Sequence, residues 1–172
     1  MKELSKKICL LGTFAVGKTS LVQRFTYNRF DERYISTLGV KVSQKSLQLQ
    51  SGETIAKLNM MIWDIDGRSE WNSVRSSYLR GASGALLVCD MTRAHTLEEL
   101  NDFVTAFRNG CLENNLVLVA NKSDLTADLQ ITTSQLNEFA SSLSAPLVMS
   151  SAKTGDGVEE AFRHLGQLMI HE

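Results

Sequence analysis

The chain has 172 residues, 43% of them hydrophobic and 22% charged, with a net charge of −1 from 18 basic and 19 acidic side chains. That length suits a single domain over residues 1–172, and the balanced charge excludes a global attraction to nucleic acid or to an acidic membrane surface. Three cysteines without a CxxC spacing point to a reduced, cytoplasmic chain and away from zinc.

Apolar runs alternate with helix-like stretches along the chain. KICLLG precedes TSLVQRFTYN, ALLVCD precedes TLEELNDFVTAFRN, LVLVANKSD precedes TSQLNEFASSL, and PLVMSSAK precedes GVEEAFRHLGQLMI. Strand then helix, repeated, predicts an α/β fold with a mostly parallel sheet covered on both faces. Between the first helix and LNMMIWD, the segments VKVSQKSLQLQ and TIAKLNMMIWD flank the turn-like SGE. This predicts an antiparallel hairpin whose first strand is a sheet edge. ALLVCDM and LVLVA are too short to span a bilayer, so no integral membrane segment is expected.

GTFAVGKT at residues 12–19 matches G-x-x-x-x-G-K-[ST] after a strand and before a helix. Such a loop aims backbone N–H groups at phosphates, with Lys18 reaching the β and γ phosphates and Thr19 ligating Mg²⁺. The loop assigns Phe14, Ala15, Val16, Gly17, Lys18, Thr19 and Ser20 to nucleotide binding. At NKSD, residues 121–124, the Asp124 carboxylate can accept from both the ring N–H and the exocyclic amine of guanine, a donor pair that adenine lacks. Asn121 is expected to tie this loop to the phosphate loop and the Lys122 stem to cover the base. SSAK at 150–153 adds Ser151, Ala152 and Lys153 around the guanine carbonyl.

These motifs, together with YISTLGV at 34–40, WDIDG at 63–67 and SSYLRGASGALLVCD at 76–90, make the chain resemble the Ras superfamily of small GTPases, most closely the Rab branch. The resemblance implies a P-loop NTPase three-layer α/β/α fold with six strands and about five helices. It implies GTP and GDP as ligands with Mg²⁺, GTP hydrolysis to GDP and phosphate, and two loops that respond to the γ phosphate. By position, Thr37 would ligate Mg²⁺ and touch the γ phosphate, Asp64 would hold Mg²⁺ through water, Phe30 would pack on the guanine, Tyr34 would cover the phosphates, and Gly67 would offer its N–H to the γ phosphate. Lys18, Thr37, Gly67 and Arg68 are the candidate catalytic positions. Effector, exchange-factor and activating proteins would read residues 30–42 and 67–80 of a monomer, with Val42, Trp63 and Tyr78 as a patch between them. Trp63 and Tyr78 serve equally as half-buried sheet packing, and Val42 stands where the family usually has phenylalanine.

Two positions depart from the family where cleavage is concerned. Arg68 stands where a glutamine normally orients the attacking water, and a guanidinium has donors only. Phe14 stands where the phosphate loop normally has a small residue, which crowds the space for that water. Slow hydrolysis is the expectation; an arginine finger supplied in cis is the alternative for Arg68, and a non-hydrolysing guanine nucleotide scaffold or a P-loop kinase or ATPase are the alternatives for the whole chain. Asp66 replaces the usual alanine, and either pairs with Arg68 or points to solvent with it. GQLMIHE at the end carries no prenylation cysteine, leaving open a tail outside these residues, work in the cytosol, or membrane recruitment through partners.

Overall fold

The computed structural model describes residues 2–33, 36–68 and 73–170, with the side chains of 73 and 74 left aside. The strands are β1 (Lys2–Leu11), β2 (Val40–Ser51), β3 (Thr54–Ile65), β4 (Ala82–Asp90), β5 (Asn115–Asn121) and β6 (Leu147–Met149). The helices are α1 (Lys18–Tyr27), α2 (Ser73–Leu79), α3 (His95–Glu98), α4 (Leu100–Gly110), α5 (Thr133–Ser142) and α6 (Val158–Ile170). One six-stranded sheet runs in the order β2-β3-β1-β4-β5-β6. Only the β2–β3 pair is antiparallel, so the sheet is mostly parallel with the hairpin at one edge, as its sequence implies. Gly52 holds φ +60° in the hairpin turn, the left-handed value that a two-residue connection needs and glycine adopts freely.

Parallel strands buried on both faces read as near-continuous apolar runs, and β4, buried along its whole length, departs from that only at Ser83 and Asp90. Alternate side chains feed two separate cores. Ile8, Leu10, Leu86, Val88, Val117 and Val119 face α1 and α6, where Phe25 stacks on Phe162 with ring centroids 3.9 Å apart. Cys9, Leu11, Leu87, Cys89, Leu116 and Leu118 belong to the opposite core, with Phe103 and Phe107 of α4. Burial pushes the Cys9 and Cys89 thiols up to about 12, so both behave as packing groups.

Two local expectations change, and one element is new. β1 begins at Lys2 and not at KICLLG: its charged first half pairs with β3 from Lys2↔Ala56 onward, whereas β4 joins it only at Lys7↔Ala82. With a neighbour on one side only, that half needs no apolar run. The stretch TLEELNDFVTAFRN forms two helical segments, because Asp102 N–H bonds Glu99 C=O three residues back at the junction. Residues 73–79, which fall within the 67–80 stretch read above as a partner surface, form α2. Among the described residues no helix is long and apolar enough to cross a membrane.

Candidate functional site

The parallel strands β1, β3, β5 and β6 end on one side of the sheet, where the segments that follow them, together with residues 30–33 and 37 ahead of β2, line a cleft of about 980 Å³, open mouth included. Carboxyl ends of parallel strands are where α/β sheets bind ligands. The loop from 12 to 17 leaves β1 and enters α1 there. Gly17, at φ +103°, is glycine for two reasons: its backbone is left-handed, and a Cβ would lie 2.3 Å from Asn121 Nδ2. Ala15 also sits in the left-handed region, at φ +62°, which costs an L residue about 1–2 kcal/mol.

The carbonyls of this loop are bonded one after another. Lys18 Nζ donates to Gly12 O at 2.7 Å and Thr13 O at 3.0 Å. Arg93 Nη2 donates to Phe14 O at 2.9 Å, Lys122 Nζ to Ala15 O at 3.0 Å, and Asn121 Nδ2 to Val16 O at 3.0 Å. A loop whose C=O groups are drawn outward by donors presents its N–H groups as an anion nest. Burial pushes the Lys18 ammonium down to about 8, with the Asp64 and Asp66 carboxylates pulling it back up.

Three side-chain oxygen groups meet beside Lys18. Thr19 Oγ1 donates to Asp64 Oδ2 at 2.5 Å and lies 2.6 Å from Thr37 Oγ1. Asp64 is buried, its carboxyl is pushed up by that burial, and its Oδ1 has no hydrogen-bond partner among the described residues. An orphaned buried carboxylate oxygen beside two hydroxyls is a hard oxygen set of the kind Mg²⁺ takes. Gly67 packs against the phosphate loop so closely that a Cβ would lie 2.5 Å from Gly12 O and 2.6 Å from Lys18 Nζ.

Of the two arrangements open for Asp66 and Arg68, pairing is the one found. Asp66 Oδ1 accepts from Arg68 N at 2.9 Å and from Arg68 Nε at 3.2 Å, contacts that outweigh partial burial and lower the carboxyl pKa. Arg68 Nη2 then donates to Thr37 O at 2.9 Å, and the guanidinium carbon lies 5.4 Å from the Phe14 ring centroid. Arg68 therefore stands beside the cleft and not in its wall.

Between the loops at 121–124 and 150–153, Asn121 Oδ1 accepts from Ser150 Oγ at 3.1 Å and Ala152 N at 3.2 Å. Asp124 accepts from Ser151 Oγ at 2.7 Å. Phe30 lines the cleft and packs against the α1/α6 core, and Ser20, Ala152 and Lys153 line it as well. Val16 sits in the core and Ser151 behind Asp124, so both support the wall without forming it. Tyr34 lies outside the described residues. Trp63 and Tyr78 are half-buried against the second core with ring centroids 6.3 Å apart, while Val42 is exposed.

The model of the Ras family matches residues 7–171. The chain belongs to the Ras family. It is 37% identical over 157 residues to the Ras-related protein Rab-1A of Dictyostelium discoideum, an alignment covering 91% of this chain and 76% of that relative. The chain is accordingly a Rab-like small GTPase with the guanine nucleotide-binding switch architecture of its family.

Three residues that position the loops of this small GTPase had no role assigned from the sequence: Arg24, Arg93, and Asp90 at the end of the 76–90 motif. Asp90 binds Lys122 and Arg93, and Arg24 donates to Ala152 O at 2.9 Å and to Lys153 O at 2.5 Å. A sequence signal existed for Asp90 alone, an acid closing a run that is otherwise apolar; its register with Asn121 is visible only in the sheet.

Proposed function

We propose that this chain is a guanine nucleotide switch that binds GTP and GDP with Mg²⁺ and hydrolyses GTP slowly. One observation carries the reading: the nest-forming loop with Lys18, the oxygen cluster and the Asp124 loop all line a single cleft. In this reading Asp124 accepts from the guanine donors while Phe30 and the Lys122 stem flank the base. Lys18 and the loop amides take the phosphates. Thr19, Thr37 and Asp64 would hold Mg²⁺, which, when bound, neutralises charge on the β and γ phosphates. Gly67 comes close enough to the phosphate loop for its N–H to meet a γ phosphate, and Thr37 would report the same group on the other loop.

Arg68 supports slow turnover. Its Nε and Nη2 are bonded to Asp66 and Thr37 O, and it has no acceptor for the proton of an attacking water. The Phe14 ring beside it occupies space that a small residue leaves open. The same bonds tie residues 37 and 68 directly to each other, which favours, as a second reading, a non-hydrolysing scaffold with little change between its two nucleotide forms. Residues 30–42 and 67–80 are the surfaces proposed for effectors, exchange factors and activating proteins, the chain acting as a monomeric single domain over 1–172 in the cytoplasm.

Chromatography of the nucleotide released when the purified protein is denatured tests the reading. GDP or GTP is expected; adenine nucleotides, or none together with no uptake of added GDP, would overturn it.

A further inference from the structure

Arg93 stands outside every motif, yet it is wired to the phosphate loop. Its Nε lies 3.0 Å from Asp90 Oδ2, and its Nη2 donates to the Phe14 carbonyl at 2.9 Å. Asp90 is fully inside the protein, and it is held from several sides: Thr92 N and Oγ1 donate to Oδ1 at 2.9 and 2.7 Å, and Lys122 Nζ reaches Oδ2 at 2.7 Å. Two cations thus share one buried carboxylate, and each spends a further donor on a phosphate-loop carbonyl, Arg93 on Phe14 and Lys122 on Ala15.

We propose that Arg93 is a positioning residue: braced by Asp90, it fixes the peptide after Phe14 and so sets the direction of the loop amides that receive the phosphates. The inference rests on the reading that this loop binds nucleotide phosphates. A peptide plane is rigid, so holding its oxygen fixes its N–H as well. Preorganised amides bind an anion without first spending free energy on loop ordering. Arginine suits the task because a planar fork can meet a carboxylate and a carbonyl in one geometry; a lysine ammonium is a point charge on a flexible stem. The need is local, because Phe14 carries a large ring that faces Arg68. Without the Arg93 bond the ring and its peptide can swing together.

The test uses the full chain loaded with a fluorescent N-methylanthraniloyl GDP, chased with excess GDP. Arg93→Ala and Arg93→Lys are compared with Arg108→Ala, which removes one positive charge at an exposed site on α4. Both Arg93 variants should release the probe roughly tenfold faster, as loss of one charge-assisted hydrogen bond implies, and Arg108→Ala should match the wild type. The preference for GDP over inosine diphosphate reads the Asp124 loop and should be unchanged in the Arg93 variants. Wild-type release from Arg93→Ala, or from Arg93→Lys, overturns the inference alone. A parallel fall in the preference for GDP over inosine diphosphate also overturns it, because Arg93 would then be bracing the whole cleft. A wild type that holds no guanine nucleotide overturns the underlying reading, and the inference with it.

Discussion

Replacing Arg68 with glutamine separates a lost catalytic position from a built-in arginine finger. Arg68 makes three contacts that the change removes or weakens: the ion pair to Asp66, the bond to Thr37 O and the approach to the Phe14 ring. The ion pair is 37% and 20% exposed on its two sides, so solvent screening holds it to about 0.5 kcal/mol. The bond to the Thr37 carbonyl contributes about 1 kcal/mol, and the cation over the ring about 0.5 kcal/mol. Arg68→Gln and Arg68→Ala should therefore both lose about 2 kcal/mol of stability. Their rates should diverge. A glutamine can accept from the attacking water and donate toward the phosphoryl group, so Arg68→Gln should hydrolyse GTP at least about tenfold faster than wild type, ~1.4 kcal/mol of barrier, while Arg68→Ala should not. The assay is single-turnover hydrolysis of GTP with Mg²⁺ in excess, with Phe14→Gly added to clear the ring. A slower Arg68→Gln would mean that the arginine swings from Thr37 to the phosphate and acts as a finger, refuting the reasoning.

Relief of backbone strain gives a second expectation: Ala15→Gly should raise the stability of the nucleotide-free protein by about 1 kcal/mol, read as a shift in the urea midpoint. Asp90 gives a pH dependence. Burial works against its charged form, but Lys122, Thr92 and Arg93 win and hold its carboxyl below the usual range. A carboxylate whose folded pKa is depressed stabilises the protein fully above its unfolded pKa, and that stability is lost as pH falls through the folded value. Asp90→Asn should therefore be less stable at neutral pH and flatten the acid limb of the stability curve, measured by urea titration at a series of pH values; an unchanged limb would show that the carboxylate is not charged in the fold. Gly67→Ala should block the approach of residue 67 to the phosphate loop, since its Cβ meets Gly12 O and Lys18 Nζ. It should keep GDP binding and lose the difference in protease sensitivity between GDP-bound and GTP-bound protein.

The phosphate loop, NKSD and SSAK were legible in the sequence because each is a contiguous stretch at the end of an apolar run, and its chemistry depends on local backbone and adjacent side chains. Strand and helix order was legible for the same reason, through hydrophobic periodicity. Periodicity says nothing about which strands lie side by side. The order β2-β3-β1-β4-β5-β6 puts Asp90 in register with Asn121, and from that register come the Asp90 bonds to Lys122 and Arg93 and the grip on Phe14 and Ala15. Arg24 reaches Ala152 and Lys153 across more than a hundred residues for a similar reason. The choice between an Asp66–Arg68 pair and two solvent-facing charges also lay beyond the sequence, because it turns on the Thr37 carbonyl 31 residues away. The sequence by itself determined the parts of the nucleotide cleft, since these are local; the tertiary structure alone decided which side chains brace them, since a brace depends on distance in space and not along the chain.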